Sequence, residues 1–258
     1  MITLDNLSLR YGQRDLLRQV HTTFCAGQLT ALLGRNGSGK STLLRAICGL
    51  SAHTGSNPLE DKSQILIQGQ ALSKISPQQL ARSIAFVNTE RIRIANLSCR
   101  DVVALGRAPY TNWIGSMQKE DEQLVMQALE RVGMQEYATR TLDRMSDGEC
   151  QRIMIARALA QATPIILLDE PTSFLDMPNR YELCALLADL AHQEQKCILF
   201  STHELDIATS VCDSIALIDA PHLCHLPTDR MLQSGHIDRL FTRVKFHGSH
   251  TKKTPSDH

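Results

Sequence analysis

The chain has 258 residues, 43% hydrophobic and 21% charged, which suits one large globular domain with a substantial core. The 27 basic residues balance the 27 acidic ones, whereas nucleic-acid-binding domains usually carry a basic excess. No apolar run reaches the ~18 residues that cross a bilayer, and the N-terminus lacks a signal-peptide pattern. We therefore expect a cytosolic protein that binds no nucleic acid.

The apolar pattern predicts strands that alternate with helices, and hence a mostly parallel sheet covered on both faces. The irregular alternation from Ile2 to Leu9 predicts an edge strand with a bulge. Residues 92–145 show no strong strand signal and are interpreted as a helical insert. Buried strands are predicted at residues 29–33, 165–168, 197–200 and 215–218, and further short strands at 65–67 and 84–87. Helices are predicted at residues 41–50, 121–132 and 179–192.

Eight cysteines occur without a CxxC pair, so we expect reduced thiols buried as small hydrophobic side chains. His222, Cys224 and His225 lie close together in the sequence, but no fourth ligand and no zinc spacing accompany them. The pattern therefore favours structural roles over a metal site.

The segment Gly-Arg-Asn-Gly-Ser-Gly-Lys-Ser at residues 34–41 matches the phosphate-loop pattern G-x-x-x-x-G-K-[ST], between a predicted strand and a predicted helix. Its glycines let successive backbone N–H groups point at phosphate oxygens, and the helix adds its positive end. Lys40 can neutralise phosphate charge, and the Ser41 hydroxyl can ligate Mg²⁺. The predicted ATP contacts in this loop are Gly34, Asn36, Gly37, Gly39, Lys40, Ser41 and Thr42.

Asp169 and Glu170 follow the apolar run 165–168, at the strand end that faces the ligand crevice of an open α/β sheet. Asp169 is predicted to hold Mg²⁺, and Glu170 to orient or deprotonate the attacking water. An acid pair that merely caps the next segment is the alternative. The phosphate loop upstream favours the catalytic interpretation.

Two further motifs are Met-Ser-Asp-Gly-Glu at residues 145–149, before a predicted helix, and His203 after Phe-Ser-Thr. With the phosphate loop and the acidic strand end, they resemble the ABC (ATP-binding cassette) ATPase family over nearly the whole chain. Residues 145–149 are similar to the family's LSGGQ signature, and His203 stands in the place of its switch histidine. Tyr11 resembles the aromatic residue that stacks on adenine, and residues 173–176 resemble the loop that couples two protomers.

The resemblance implies an α/β fold of the P-loop NTPase (RecA-like) class. Such a fold has a mostly parallel sheet flanked by helices, an N-terminal antiparallel β part and a helical subdomain insert. The implied ATPase domain spans residues 1–241, with its core at 1–91 and 150–241 and the insert at about 92–149. We expect residues 242–258 to be a disordered tail.

The resemblance also implies an ATPase that works as a head-to-tail homodimer. ATP is then held between the phosphate loop of one subunit and Ser146 and Gly148 of the other, with Glu170 and His203 as catalytic residues. Loss of the γ-phosphate removes this bridge, so hydrolysis opens the dimer.

The signature departs from the family pattern, because Asp147 and Glu149 stand where Gly and Gln are usual. The added negative charge could weaken closure around the γ-phosphate. Alternatively, Ser146 and Glu149 form a capping box that stabilises the helix and leaves phosphate binding intact. The sequence leaves both interpretations open.

A second departure follows residues 85–88, where the family places a glutamine that reaches Mg²⁺ or the attacking water. This chain offers Thr89 or Glu90, of which Glu90 is long enough to bind Mg²⁺. A plain surface acid is the alternative.

Residues 79–85 and 103–113 resemble the ATPase subunits of importers for iron-siderophores, haem and cobalamin. This implies a peripheral protein on the cytoplasmic face of the inner (cell) membrane, bound to permease subunits and indirectly to a substrate-binding protein. Tyr110 and Trp113 are interpreted as an exposed aromatic anchor for the permease, with a turn that buries both as the alternative.

Three other functions fit the sequence less well. A DNA-repair or chromosome-structure ATPase would carry long coiled coils, and a P-loop kinase would need an Arg-rich lid and an acceptor pocket. A nucleotide sensor without turnover would not need Glu170.

Overall fold

A computed structural model describes residues 1–50, 64–88, 96–111 and 117–241. The predictions for the loop 51–63, for Thr89 and Glu90, for Trp113 and for the tail 242–258 lie outside these residues. Within the described ranges, no helix combines the length and the hydropathy that crossing a bilayer requires.

The described residues form β-strands, α-helices and short 3₁₀ turns. The strands are β1 (Ile2–Tyr11), β2 (Arg14–Phe24), β3 (Gln28–Gly34), β4 (Gln64–Ile67), β5 (Gln70–Ala71), β6 (Ile84–Val87), β7 (Ile165–Leu168), β8 (Cys197–Thr202), β9 (Ser214–Asp219) and β10 (His222–Pro227). The α-helices are α1 (Lys40–Ile47), α2 (Pro77–Ser83), α3 (Cys99–Ala104), α4 (Lys119–Arg131), α5 (Asp147–Ala160), α6 (Met177–Gln193), α7 (Leu205–Val211), α8 (Thr228–Gln233) and α9 (His236–Phe241). Short 3₁₀ turns lie at Leu72–Lys74, Leu105–Tyr110, Gln135–Tyr137 and Leu142–Arg144.

The main sheet has the strand order β10-β9-β3-β8-β7-β6. Its neighbouring strands are parallel, except that β10 pairs antiparallel with β9. Its five parallel strands include five of the six strands predicted after the N-terminal one, and the mostly parallel sheet is confirmed.

The second sheet is antiparallel, with the order β2-β1-β4-β5, which confirms the predicted N-terminal antiparallel part. The prediction that the first strand is an edge strand is wrong, because β1 pairs with β2 on one side and with β4 on the other. The predicted bulge is confirmed by register shifts between Leu4 and Arg10. These register shifts explain why the apolar alternation in β1 is irregular. In β2, exposed and buried residues follow no regular alternation, so its sequence did not predict a strand that pairs with β1.

The core lies on both faces of the main sheet. In β3, Ala31 and Leu33 pack with residues of α5 and α6, whereas Leu32 packs with residues of β1, β2 and α1. Alternate residues of one strand thus face opposite layers. Burial of a large apolar side chain contributes roughly 1.5–3 kcal/mol, so the layering strongly favours one strand register.

The predicted helical insert contains α3 and α4, and both pack against α5. A buried ion pair supports this packing, because Arg107 Nε lies 2.8 Å from Asp121 Oδ1. Arg107 also donates to the carbonyl of Ala160, at 2.9 Å. Since α5 crosses residues 149–150 without a break, the insert boundary at 149 stays a prediction.

All eight cysteines are free thiols. Four are buried as predicted, but Cys25 is exposed, which corrects the expectation of uniform burial. Burial raises the pKa of the Cys184 thiol to about 12 and that of Cys197 to about 11, so both are poor nucleophiles. Within the described residues, no three His, Cys, Asp or Glu side chains could hold a metal, and His225 instead contacts Thr22 and Ser214.

Candidate functional site

The phosphate loop joins β3 to α1 in a backbone that requires glycine. Gly39 is the N-cap of α1 with a φ of 105°, and Gly37 has a φ of 73°. A Cβ on Gly34 would lie 2.7 Å from Ser38 Oγ and 3.0 Å from the carbonyl of Ile218. The tight backbone of this loop therefore depends on its glycines.

Lys40 lies at the centre of this loop, with only 5% of its surface exposed. Its Nζ donates to the carbonyls of Gly34 at 2.8 Å and of Arg35 at 3.3 Å. Burial lowers the pKa of Lys40, while the charges of Glu170 and Asp169 partly oppose that shift. An anion bound beside Lys40 would favour its charged form in the same way.

The acidic strand end meets the loop through hydroxyl groups. Asp169 Oδ1 accepts hydrogen bonds from Ser41 Oγ at 2.9 Å and from Ser201 Oγ at 2.6 Å. Ser201 Oγ also accepts from the N–H of Glu170, at 2.8 Å. Because β7 and β8 are parallel neighbours, their carboxyl ends bring both acids and Ser201 to one edge.

Glu170 adopts a left-handed backbone conformation with a φ of 45°. For a residue other than glycine, such a conformation costs roughly 1–3 kcal/mol and is concentrated at functional sites. The carboxylate lies 3.9 Å from Lys40 Nζ and 3.6 Å from His203 Nδ1, and the Ser173 hydroxyl donates to it at 3.3 Å. It is thus surrounded by a lysine, a histidine and a hydroxyl donor.

A cavity of about 610 Å³ opens above these groups. Tyr11, predicted to stack on adenine, lies at its exposed side, and Asp169 and His203 contact its lining residues. Arg14 and Leu16 also line the cavity but were not predicted, since the short turn after Tyr11 was their only signal in the sequence. The lining residues are Tyr11, Arg14, Leu16, Asn36, Gly37, Gly39, Lys40, Ser41, Thr42 and Glu170.

Two observations fit an oxygen-rich ligand with Mg²⁺. Ser38 Oγ is buried and has no hydrogen-bond partner among the described residues. Ser41 and Asp169 place a hydroxyl beside a carboxylate, and Mg²⁺ prefers such oxygens, usually one or two from the protein with the rest from water and phosphates. The third predicted metal ligand, Glu90, lies outside the described residues.

Ser146 and Gly148 line a different cavity, of about 520 Å³, together with Phe174 and Asp176. Ser146 caps α5, and its capping box with Glu149 is confirmed by reciprocal hydrogen bonds. Among the described residues, none lines both cavities. A single chain therefore does not bring its signature to Lys40.

The expectation of an exposed aromatic anchor is corrected for Tyr110, which is half-buried. The Arg107 guanidinium lies 4.1 Å from its ring centroid, and that of Arg82 lies 5.3 Å away. These contacts give Tyr110 a structural role, because two cations pack against one ring.

Comparison with known proteins identifies the family. The sequence profile of the ABC transporter family matches residues 17–173. The petrobactin import ATP-binding protein FpuD of Bacillus anthracis is 36% identical over 212 residues, which cover 82% of this chain and 75% of FpuD.

Solved structures that are similar to this chain belong to the same family. One describes a metal-chelate type ABC transporter in an inward-facing conformation, with a TM-score of 0.79 and 30% identity over 93% of this chain and 88% of that one. Another is a dimeric bacterial ABC transporter cassette, with a TM-score of 0.76 and 25% identity over 88% of this chain and 99% of that one. The chain therefore belongs to the ABC transporter family, as an ATP-hydrolysing subunit.

Proposed function

We propose that this chain hydrolyses Mg-ATP to power an importer for an iron complex. The observation that carries the proposal is the convergence of Lys40, Ser41, Asp169, Glu170 and His203 at one edge of the main sheet. Loop amides and Lys40 bind the β- and γ-phosphates, and Tyr11 stacks on the adenine.

Glu170 acts on the attacking water. It orients the water or accepts its proton while the new oxygen–phosphorus bond forms and the bond between the β- and γ-phosphates breaks, which yields ADP and phosphate. Ser41 and Asp169 would hold Mg²⁺, which would supply positive charge to neutralise these phosphates. His203, whose Nδ1 lies 3.6 Å from the Glu170 carboxylate, acts beside Glu170 as the second catalytic residue.

We further propose a head-to-tail homodimer in which Ser146 and Gly148 of one copy contact the γ-phosphate held by the other. The separation of the two cavities within one chain supports this arrangement, as does the dimeric cassette to which the chain is similar. The N-terminus of α5 offers N–H groups and a positive dipole end to the phosphate.

The proposed setting is the cytoplasmic face of the cell membrane. There the dimer binds permease subunits, and a substrate-binding protein delivers the cargo to the permease. The similarity to a petrobactin import protein supports an iron-siderophore as cargo, with haem and cobalamin as the related alternatives.

An uptake experiment tests this proposal. Cells that lack the gene are complemented with wild-type chain or with Glu170→Gln, and uptake of radiolabelled iron-siderophore, haem and cobalamin is measured. We expect only the wild type to restore uptake, and only of an iron complex. Restoration of cobalamin uptake alone would reassign the cargo, and normal uptake of all three without the gene would contradict an import role.

A further inference from the structure

The hydrogen-bond donors of the signature serine are engaged by a neighbouring side chain. The N–H of Ser146 donates to Glu149 Oε2 at 2.8 Å, and its hydroxyl donates to the same oxygen at 2.7 Å. The N–H of Glu149 donates back to Ser146 Oγ at 3.3 Å. Both Ser146 donors therefore bind one carboxylate oxygen of Glu149. Ser146 and Glu149 both line the cavity of about 520 Å³.

The same chain contains this capping box with a neutral acceptor. At the start of α2, the N–H and hydroxyl of Ser76 donate to Gln79 Oε1 at 3.1 and 3.0 Å, and the N–H of Gln79 donates back at 3.3 Å. Glutamine thus forms the complete cap, but each Ser76 donor distance is 0.3 Å longer than its Ser146 counterpart (3.1 against 2.8 and 3.0 against 2.7). Hydrogen bonds to a charged acceptor are shorter and roughly twice as strong.

Glu149 is charged at neutral pH. Hydrogen bonds from the backbone and then the side chain of Ser146 hold the pKa of its carboxyl below the ordinary value, and the Arg140 charge adds to this. A phosphate oxygen that approaches Ser146 must therefore compete with the Glu149 carboxylate for the hydrogen bond of the Ser146 hydroxyl, and it is also repelled by the like charge of Glu149.

We propose that Glu149 is a positioning residue that holds the Ser146 hydroxyl away from the partner's nucleotide and so raises the ATP concentration needed to close the dimer. This inference rests on the proposed head-to-tail dimer. A glutamine at position 149 would keep the capping box, as Gln79 does in α2. Its neutral amide would bind the Ser146 hydroxyl less strongly than the carboxylate does. The higher ATP requirement for dimer closure therefore comes from the charge of Glu149 and not from the presence of a cap.

The test uses protein in which Glu170→Gln stops hydrolysis, so that closure is measured without turnover. Mg-ATP is titrated, and dimer formation is followed by light scattering. We expect Glu149→Gln to lower the half-maximal ATP concentration by roughly tenfold. Its thermal midpoint should stay equal or fall slightly, because a charged cap has been weakened.

Asp101→Asn is the matched control. Ser98 donates from its N–H and hydroxyl to Asp101 Oδ2 at 3.1 and 2.6 Å, so the same carboxylate-to-amide change is made in a box on α3. We expect a similar change in thermal midpoint and no change in the ATP requirement.

Three outcomes distinguish a failure of the proposed Glu149 role from a failure of the proposed dimer. An unchanged or higher ATP requirement in Glu149→Gln overturns the role of Glu149, and so does an equal decrease in Asp101→Asn. If the Glu170→Gln parent forms no dimer at saturating Mg-ATP, even with permease, the proposed dimer itself is wrong.

Discussion

Glu170 combines an uncommon backbone conformation with three polar neighbours, which suits a group that must point at a water molecule. We predict that Glu170→Gln retains ATP binding and lowers kcat by roughly 10²–10³-fold, since the amide cannot accept a proton. Phosphate release measures turnover, and a fluorescent ATP analogue measures binding. Glu120→Gln, at an exposed position in α4, should leave both unchanged. Turnover near the wild-type rate in Glu170→Gln would refute the assignment.

Some site residues could be predicted from their spacing in the sequence, and others could not. Lys40 and Glu170 follow fixed patterns at a strand end, so the sequence predicted where they lie. Ser201 and Arg14 belong to the site only because of strand pairing and a turn. No local pattern distinguished the Ser201 hydroxyl from that of any other serine in an apolar strand.

At the scale of elements, the ion pair between Arg107 and Asp121 joins the turn after α3 to the start of α4. A backbone hydrogen bond from Gln118 and then the Arg107 side chain hold the pKa of Asp121 below its ordinary value of 3.8. Since the folded-state pKa is the lower one, this stabilisation is present above about pH 4 and is lost as the pH falls through the folded-state value. Asp121→Asn should therefore lower the free energy of unfolding by about 2 kcal/mol at pH 7.

Urea unfolding at pH 7 and at pH 3 checks this prediction, because the difference between wild type and variant should shrink at the acidic pH. The control is Glu122→Gln. The Glu122 carboxylate is 56% exposed in its ion pair with Arg100, so its loss should cost well under ~1 kcal/mol. Equal costs for the two variants would contradict a structural role for the buried pair.

The elements themselves were predictable where one residue class dominated. Every residue of β7 and β8 is buried, and continuous apolar runs in the sequence predicted both strands. By contrast, β10 mixes histidine, cysteine and proline with two leucines, and its pairing with β9 became visible only in three dimensions. The interior place of β1 depends likewise on β2 and β4, because strand order is set by contacts between distant segments.

At the scale of the whole molecule, the proposed dimer makes the two separate cavities of each chain into halves of two nucleotide sites. The phosphate loop and the acids line one cavity, and the signature lines another that shares no described residue with it. In the proposed dimer, the N-terminus of α5 contacts a phosphate held by a second copy, and binding and loss of the γ-phosphate change the association of the two chains.

The most direct measurement is the mass in solution of the Glu170→Gln protein, with and without Mg-ATP. The chain has a mass of 28.7 kDa, and we predict a shift to about twice that value with Mg-ATP and none in a Lys40→Ala, Glu170→Gln double variant. A Glu170→Gln protein that stays monomeric at saturating Mg-ATP, with its permease supplied, would contradict the account.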